Sequence, residues 1–190
     1  MAKVRNNLVM HGLSGMLGKQ VVIRKGQDGS YIVAAAPHRT NGELSEAQKT
    51  QLERFRQAVA YARGARSLPE YEQAADARKL SSQNVAVADF LHPPEITNVD
   101  VSGYHGDVGQ PIVITAIDDV KVKSVGVLIA ADDGTFVEKG AATASAEDPT
   151  RWMYTATVKA SAKAVKIVAD AADLAAHVTE VTEEVQLAQS

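Results

Sequence analysis

The chain predicts an α+β front, a β-hairpin with about three helices over residues 1–94, followed by an all-β sandwich over residues 95–190. Three observations carry that division. Up to Pro37, short β-type runs alternate with glycines. Between Ser45 and Leu91, apolar residues recur at helical spacing. Beyond Pro93-Pro94, short alternating runs are separated by turn residues. A chain of 190 residues has room for two modest cores.

In the front segment the β-type runs are Leu8 to His11, Lys19 to Lys25 and Tyr31 to Ala36. Gly26-Gln27-Asp28-Gly29 supplies residues that tolerate positive φ, so the last two runs form a hairpin. Ser45-Glu46-Ala47-Gln48 is a capping box, with Ser45 placed to cap the amide of Gln48. The helix it opens carries Leu52, Phe55, Val59 and Ala62 as its expected apolar face and ends near Gly64. Pro69 suits the first turn of a second helix, running to Ala77. Ser82 is the expected cap of a third, which carries Val85, Val87, Ala88, Phe90 and Leu91 and stops at Pro93-Pro94. A sheet this small cannot close a core alone, and two partners suggest themselves: the first helix, giving a compact front domain, or a neighbouring copy.

The back segment reads as seven strands: Ile96 to Val101, Ile112 to Ala116, Val122 to Ile129, Thr135 to Lys139, Trp152 to Val158, Val165 to Ala171 and Glu180 to Leu187. That number and spacing match an immunoglobulin-like sandwich, without the cysteine pair of the antibody type. Ile112, Ile114 and Ala116 form one inward face; Trp152, Tyr154, Ala156 and Val158 form another. Asp132-Asp133-Gly134 marks a hairpin between the third and fourth strands. Ala169 to Ala176 favours helix by propensity alone, against its reading as a strand.

Two stretches add a resemblance. Ile114-Thr115-Ala116-Ile117-Asp118-Asp119-Val120 and Val168-Ala169-Asp170-Ala171-Ala172-Asp173-Leu174-Ala175 resemble the paired motifs of bacterial immunoglobulin-like domains, in which a strand ending in Ala-x-Asp enters a turn. Those domains continue with Gly-Asn where this chain has Ala176-His177. The resemblance covers residues 95–190 and implies adhesion, spacing or assembly rather than catalysis. The front half, with HGLSGMLGKQVVIRKG before a Ser-Glu-Ala-Gln helix, is similar to uncharacterised bacterial proteins with the same order of parts, which implies no activity.

The charge is divided unevenly. Residues 1–66 hold eleven Lys or Arg against four Asp or Glu, a balance of +7, whereas residues 95–190 hold seven against fifteen, a balance of −8. Opposite potentials of this kind steer one copy onto another, or bind an acidic protein at the front. With no cysteine the chain has no disulfide, zinc ribbon or thiol nucleophile. The first residues lack a secretory apolar run and no stretch is long enough to span a membrane. The expected place of synthesis is therefore the cytoplasm, with extracellular or particle-associated placement by a non-classical route left open.

Chemical motifs are few. Gly12 to Gln20 invites a phosphate-loop reading, but five residues separate Gly12 from Gly18-Lys19 where four are needed, Gln20 replaces the hydroxyl, and β-type residues follow. A turn that lets strands approach is the better reading. His11, His38, His92, His105 and His177 are too scattered for a local metal site or triad. Asp118, Asp119 and Asp173, with Glu147 and Asp148 nearby, fall at one end of a sandwich, where hard oxygen ligands could hold calcium; aspartates accepting backbone hydrogen bonds in turns are the stronger reading. Arg54, Arg56, Arg63 and Arg66 make the first helix basic, but only Phe55 and Tyr61 could stack bases, so nucleic acid is the weaker partner.

No catalytic, cofactor-binding or metal residue is assigned, and no cofactor is expected. The expected function is a non-enzymatic structural protein that self-associates into a filament or tube, through addition of the N-terminal strands to a neighbour and basic-to-acidic packing. The alternative is a monomeric binding module or adaptor in a phage-like or secretion-related particle.

Overall fold

The computed structural model describes residues 2–4, 12–25, 29–36 and 43–187. These fall into two compact units, Met1–Ser45 and Glu46–Ser190. The protein is α+β, with most of its strands in the C-terminal half. The boundary expected after residue 94 lies inside the second unit, because the helices share that unit with the sandwich strands.

The first unit is one antiparallel sheet. Strands β1 (Ala2–Val4), β2 (Gly15–Leu17), β3 (Val21–Lys25) and β4 (Tyr31–Ala35) lie in the order β1-β4-β3-β2. The expected hairpin pairs β3 with β4 from Val21↔Ala35 to Lys25↔Tyr31. Its turn residues 26–28, and the expected run Leu8 to His11, lie outside the described residues. The glycine-rich stretch makes a second hairpin: Gly18 and Lys19 take positive φ, and Leu17 pairs with Val21. Ile23 and Tyr31 are the large side chains this sheet buries among the described residues.

The second unit opens with α1 (Glu46–Ala65), α2 (Pro69–Arg78) and α3 (Ser82–Leu91). Helix α1 begins just after Ser45, and Pro69 opens α2, both as the sequence predicts. Two expectations need correction. The cap of α3 is Ser81, whose side chain accepts the Asn84 amide at 3.2 Å, rather than Ser82. The face that α1 buries is Ala58, Ala62 and Ala65, while Leu52 and Phe55 are 40% and 48% exposed. The reason is length. Helix α3 has ten residues against twenty in α1, about 15 Å against 30 Å, so it covers only half of α1. The helical core is Ala62, Ala65, Tyr71, Ala75, Val85 and Ala86, and Val120 and Leu174 from the sandwich loops pack on it.

All seven expected strands form. They are β5 (Glu95–Asp100), β6 (Pro111–Ile117), β7 (Ser124–Ala131), β8 (Phe136–Ala141), β10 (Arg151–Thr155), β11 (Ala164–Ala172) and β12 (Val178–Gln186), with an unforeseen β9 (Thr143–Ala144). One sheet has the order β5-β6-β10-β9 and the other β12-β11-β7-β8. They enclose one core around Tyr104, Ile112, Ile114, Val127, Ile129, Trp152 and Ile167, in a β-sandwich-like arrangement. Each fully buried aliphatic chain there contributes about 1.5–3 kcal/mol. Asp132-Asp133-Gly134 turns β7 into β8 as expected, with Gly134 at φ +85° donating to Ala131 O at 2.9 Å.

Val158, expected to face inward, is exposed, because β10 ends at Thr155. The Glu138 carboxylate draws the chain away by accepting the Thr157 amide at 2.9 Å and its hydroxyl at 2.6 Å. Strand β11 settles the alanine-rich segment: flanked by β7 and β12, it buries Val165, Ile167, Ala169 and Ala171 on alternate positions. Burial between two neighbouring strands overrides helix propensity.

Candidate functional site

Three places carry unusual side chains: a buried polar junction between helices and sandwich, a cleft at the sandwich's far end, and two open strand edges. The junction contains the carboxylates that the sequence singles out. Asp118, in the β6–β7 loop, accepts the amides of Val120 and Lys121 at 3.2 and 3.0 Å through Oδ2. Asp173, in the β11–β12 loop, is fully buried; its Oδ1 accepts the His177 amide at 2.7 Å and its Oδ2 meets His177 Nδ1 at 2.9 Å. These bonds close the loop around Ala176, which takes φ +65° where a glycine would be expected. Asp119 faces outward and pairs with His92 at 2.7 Å, and Arg78 of α2 donates to the Asp119 carbonyl.

What sequence reasoning missed is the third carboxylate. Asp89 on α3 is fully buried and accepts the Tyr71 hydroxyl at 2.5 Å, with the Tyr61 hydroxyl 2.9 Å from Tyr71. Burial pushes the Asp89 carboxyl up to about 7; the Tyr71 bond opposes the rise, and Asp118 and Asp173 add to it. The signal was present: Asp89 follows Val85 and Ala86 at helical spacing, so it falls on the face that packs inward.

The expected calcium ligands do not converge as a group. Asp148 bonds its own turn, accepting the Thr150 amide at 2.9 Å and hydroxyl at 2.6 Å. Asp100 and Asp133 do the same with Ser102 and Thr135. Among the described residues no three His, Cys, Asp or Glu side chains are grouped to hold a metal ion. Of the histidines, His92 and His177 pair with aspartates, the His105 amide donates to Gln110 at 2.6 Å, and His11 and His38 lie outside the described residues. Arg54 donates to Leu91 O at 3.4 Å and Arg56 pairs with Glu53 at 3.6 Å, while Tyr61 is held by Tyr71 and packs on Phe90 with ring centroids 5.3 Å apart.

At the opposite end of the sandwich the turns after β7 and β10 border a cleft of about 770 Å³. It carries Asp132 and Asp133 beside Lys159 and Lys163, and Lys159 pairs with Asp107 at 2.8 Å. The mixed signs favour no particular charged ligand.

The edges are plainer. Among the described residues strand β2 pairs only with β3, and all three of its residues are exposed, Met16 at 59% and Leu17 at 68%. Among the described residues strand β12 pairs only with β11, and it carries Glu180, Glu183 and Glu184, the last paired with Lys166 of β11 at 3.4 Å. Unpaired edges of this kind are templates for another strand.

No protein family matches the chain, and no curated protein matches it. Among solved structures it is similar to the crystal structure of CopC from Methylosinus trichosporium OB3b, at 14% identity and a TM-score of 0.38, over 50% of this chain and 92% of that one. A likeness of that degree carries no assignment of function.

Proposed function

We propose that the protein is a non-enzymatic structural protein whose copies join into a filament or tube, the N-terminal sheet of one copy adding its edge strand to the sandwich of the next. The observation that carries this reading is β2, an edge strand whose apolar Met16 and Leu17 are left to solvent. An apolar edge in water is a liability unless another chain covers it. The acceptor this reading assigns is β12, because the charges complement. The β2–β3 hairpin brings Lys19, Arg24 and Lys25, and β12 brings Glu180, Glu183 and Glu184. Head-to-tail contact between two different surfaces propagates unless its rotation closes a ring.

The sandwich is read as immunoglobulin-like. Support comes from the strand order, in which the first, second, fifth and fourth strands of such a fold would be β5, β6, β10 and β9, opposite β12, β11, β7 and β8. Among the described residues no helix is long and apolar enough to cross a membrane. Synthesis in the cytoplasm and assembly within a particle or outside the cell remain part of this reading. Light scattering across concentration, with a micrograph of the purified chain, tests it: particles that grow with concentration are expected. A monomer that persists at high concentration overturns it and leaves the monomeric adaptor of a phage-like or secretion-related particle.

A further inference from the structure

Asp89 and Asp118 reach each other across the junction between the helices and the sandwich. Asp89 engages Tyr71 through Oδ2, and its buried Oδ1 has no hydrogen-bond partner. Asp118 engages the Val120 and Lys121 amides through Oδ2, and its buried Oδ1 also lacks a partner. Ionised carboxylates only accept hydrogen bonds, so these two buried oxygens are each short of a donor, and the two groups repel when both are charged. A buried acceptor left unmatched is destabilising. One proton between the two oxygens removes both defects.

We propose that Asp89 of α3 carries a proton on Oδ1 and donates it to Asp118 of the β6–β7 loop, and that this carboxyl contact is a pH-operated latch fastening the helical layer to the sandwich. The tyrosines occupy Asp89 Oδ2 and leave Oδ1 as the place for that proton. Tyr71 donates to Asp89, so Tyr61 donates to Tyr71, and the chain of hydroxyls runs from α1 through α2 to α3 in one direction. The other charged groups nearby are Asp173 with its partner His177, from the β11–β12 loop, the exposed pair Asp119 and His92, and Arg78 of α2, which donates to the Asp119 carbonyl. Lys121 of the same loop pairs with Glu70 of α2 at 3.3 Å, so it is engaged elsewhere.

A metal is a poorer occupant than a proton. Asp173 spends both oxygens on His177, which leaves two free oxygens where calcium takes six to eight.

The direction of the pH effect follows from the two states. Unfolded, Asp89 releases its proton near the ordinary aspartate value of 3.8; folded, burial first and its acidic neighbours next hold the proton to about 7. The stability that proton contributes is complete below the lower value and is lost as pH rises toward the higher one. The aspartates and glutamates whose values are lowered, Glu70, Asp100, Asp133, Glu138 and Asp148, are held below ordinary carboxylate values that already lie under about pH 5.

The test compares melting temperature from about pH 5 to about pH 8 in the full chain and in Asp89→Asn, whose amide can donate to Asp118 while its oxygen still accepts from Tyr71. The native chain should lose several degrees across the range, and Asp89→Asn should lose much less and melt higher than the native chain at pH 8. Asp118→Asn, which offers the donor from the other side, should behave alike. Corrected for the intrinsic rise of exchange with pH, amide protection in α2 and α3 should fall at pH 8 while that of β6, β7 and β11 does not. Carbon-13 titration of the native Asp89 carboxyl gives a reading that needs no variant, with a midpoint near 7 expected. A midpoint near 4, parallel melting profiles in native and variant chains, or restoration of the native pH 8 melting point by calcium would overturn the latch.

Discussion

Trp152 shows how much one side chain decides in a sandwich of this size. It is 9% exposed, opposite Ile114 on β6, and its indole N–H is buried without an acceptor. Size and polarity therefore act in opposite directions. Trp152→Ala removes the volume and should cost about 3–5 kcal/mol, enough to unfold much of the domain on heating. Trp152→Phe keeps most of the volume and removes the unmatched donor, so its melting temperature should stay far closer to the native value. Calorimetry of the two variants checks the account, and a Trp152→Ala chain that melts like the native one would mean that β10 is out of register by one residue. Asp89 is the opposite kind of residue, polar where its neighbours are apolar. Only the meeting of α3 with the β6–β7 loop, residues far apart in the chain, shows what it does.

Elements were legible wherever local chemistry and final burial agreed. Pro69 opens α2, Asp132-Asp133-Gly134 turns β7 into β8, and alternation in Ile112 to Ala116 survives as one buried face of β6. Where partners decide, local signals gave less. Leu52 and Phe55 lie on the right stripe of α1, but α3 ends beside Arg54 and leaves both exposed. The junction was half legible, since turns placed Asp118 and Asp173 at one end while Tyr61, Tyr71 and Asp89 arrive on three separate helices. The two adjacent serines before α3 give a clean check on boundaries. Ser81→Ala removes the bond to the Asn84 amide and should cost about 1 kcal/mol in chemical denaturation, whereas Ser82→Ala should fall within a few tenths. A larger cost for Ser82→Ala than for Ser81→Ala would return the cap to the position that the sequence suggested.

For the whole molecule, the consequences of strand addition and of charge can be separated. Deleting Met1 to Gly18 removes β1 and β2 but no residue of the unit that contains the sandwich, so the shortened chain should still melt cooperatively yet fail to pellet as large particles. Salt should weaken assembly of the full chain, because exposed charges are screened beyond about 8 Å at physiological ionic strength. A truncated chain that sediments like the full one would exclude these strands as the contact. The chain has no cysteine, so Met16→Cys and Thr182→Cys chains, mixed under oxidising conditions, should cross-link to each other if β2 lies on β12. The strand register also fixes how such a chain would bear tension. Glu95, the start of β5, pairs with Ile117 at the helical end of the sandwich, while Gln186, the end of β12, pairs with Ala164 at the other. A pull that enters at Glu95 and leaves at Gln186 drags each outer strand lengthwise along its neighbour. Their ladder bonds then share the force together instead of parting one after another, and the sandwich resists as a shear joint rather than opening like a zip.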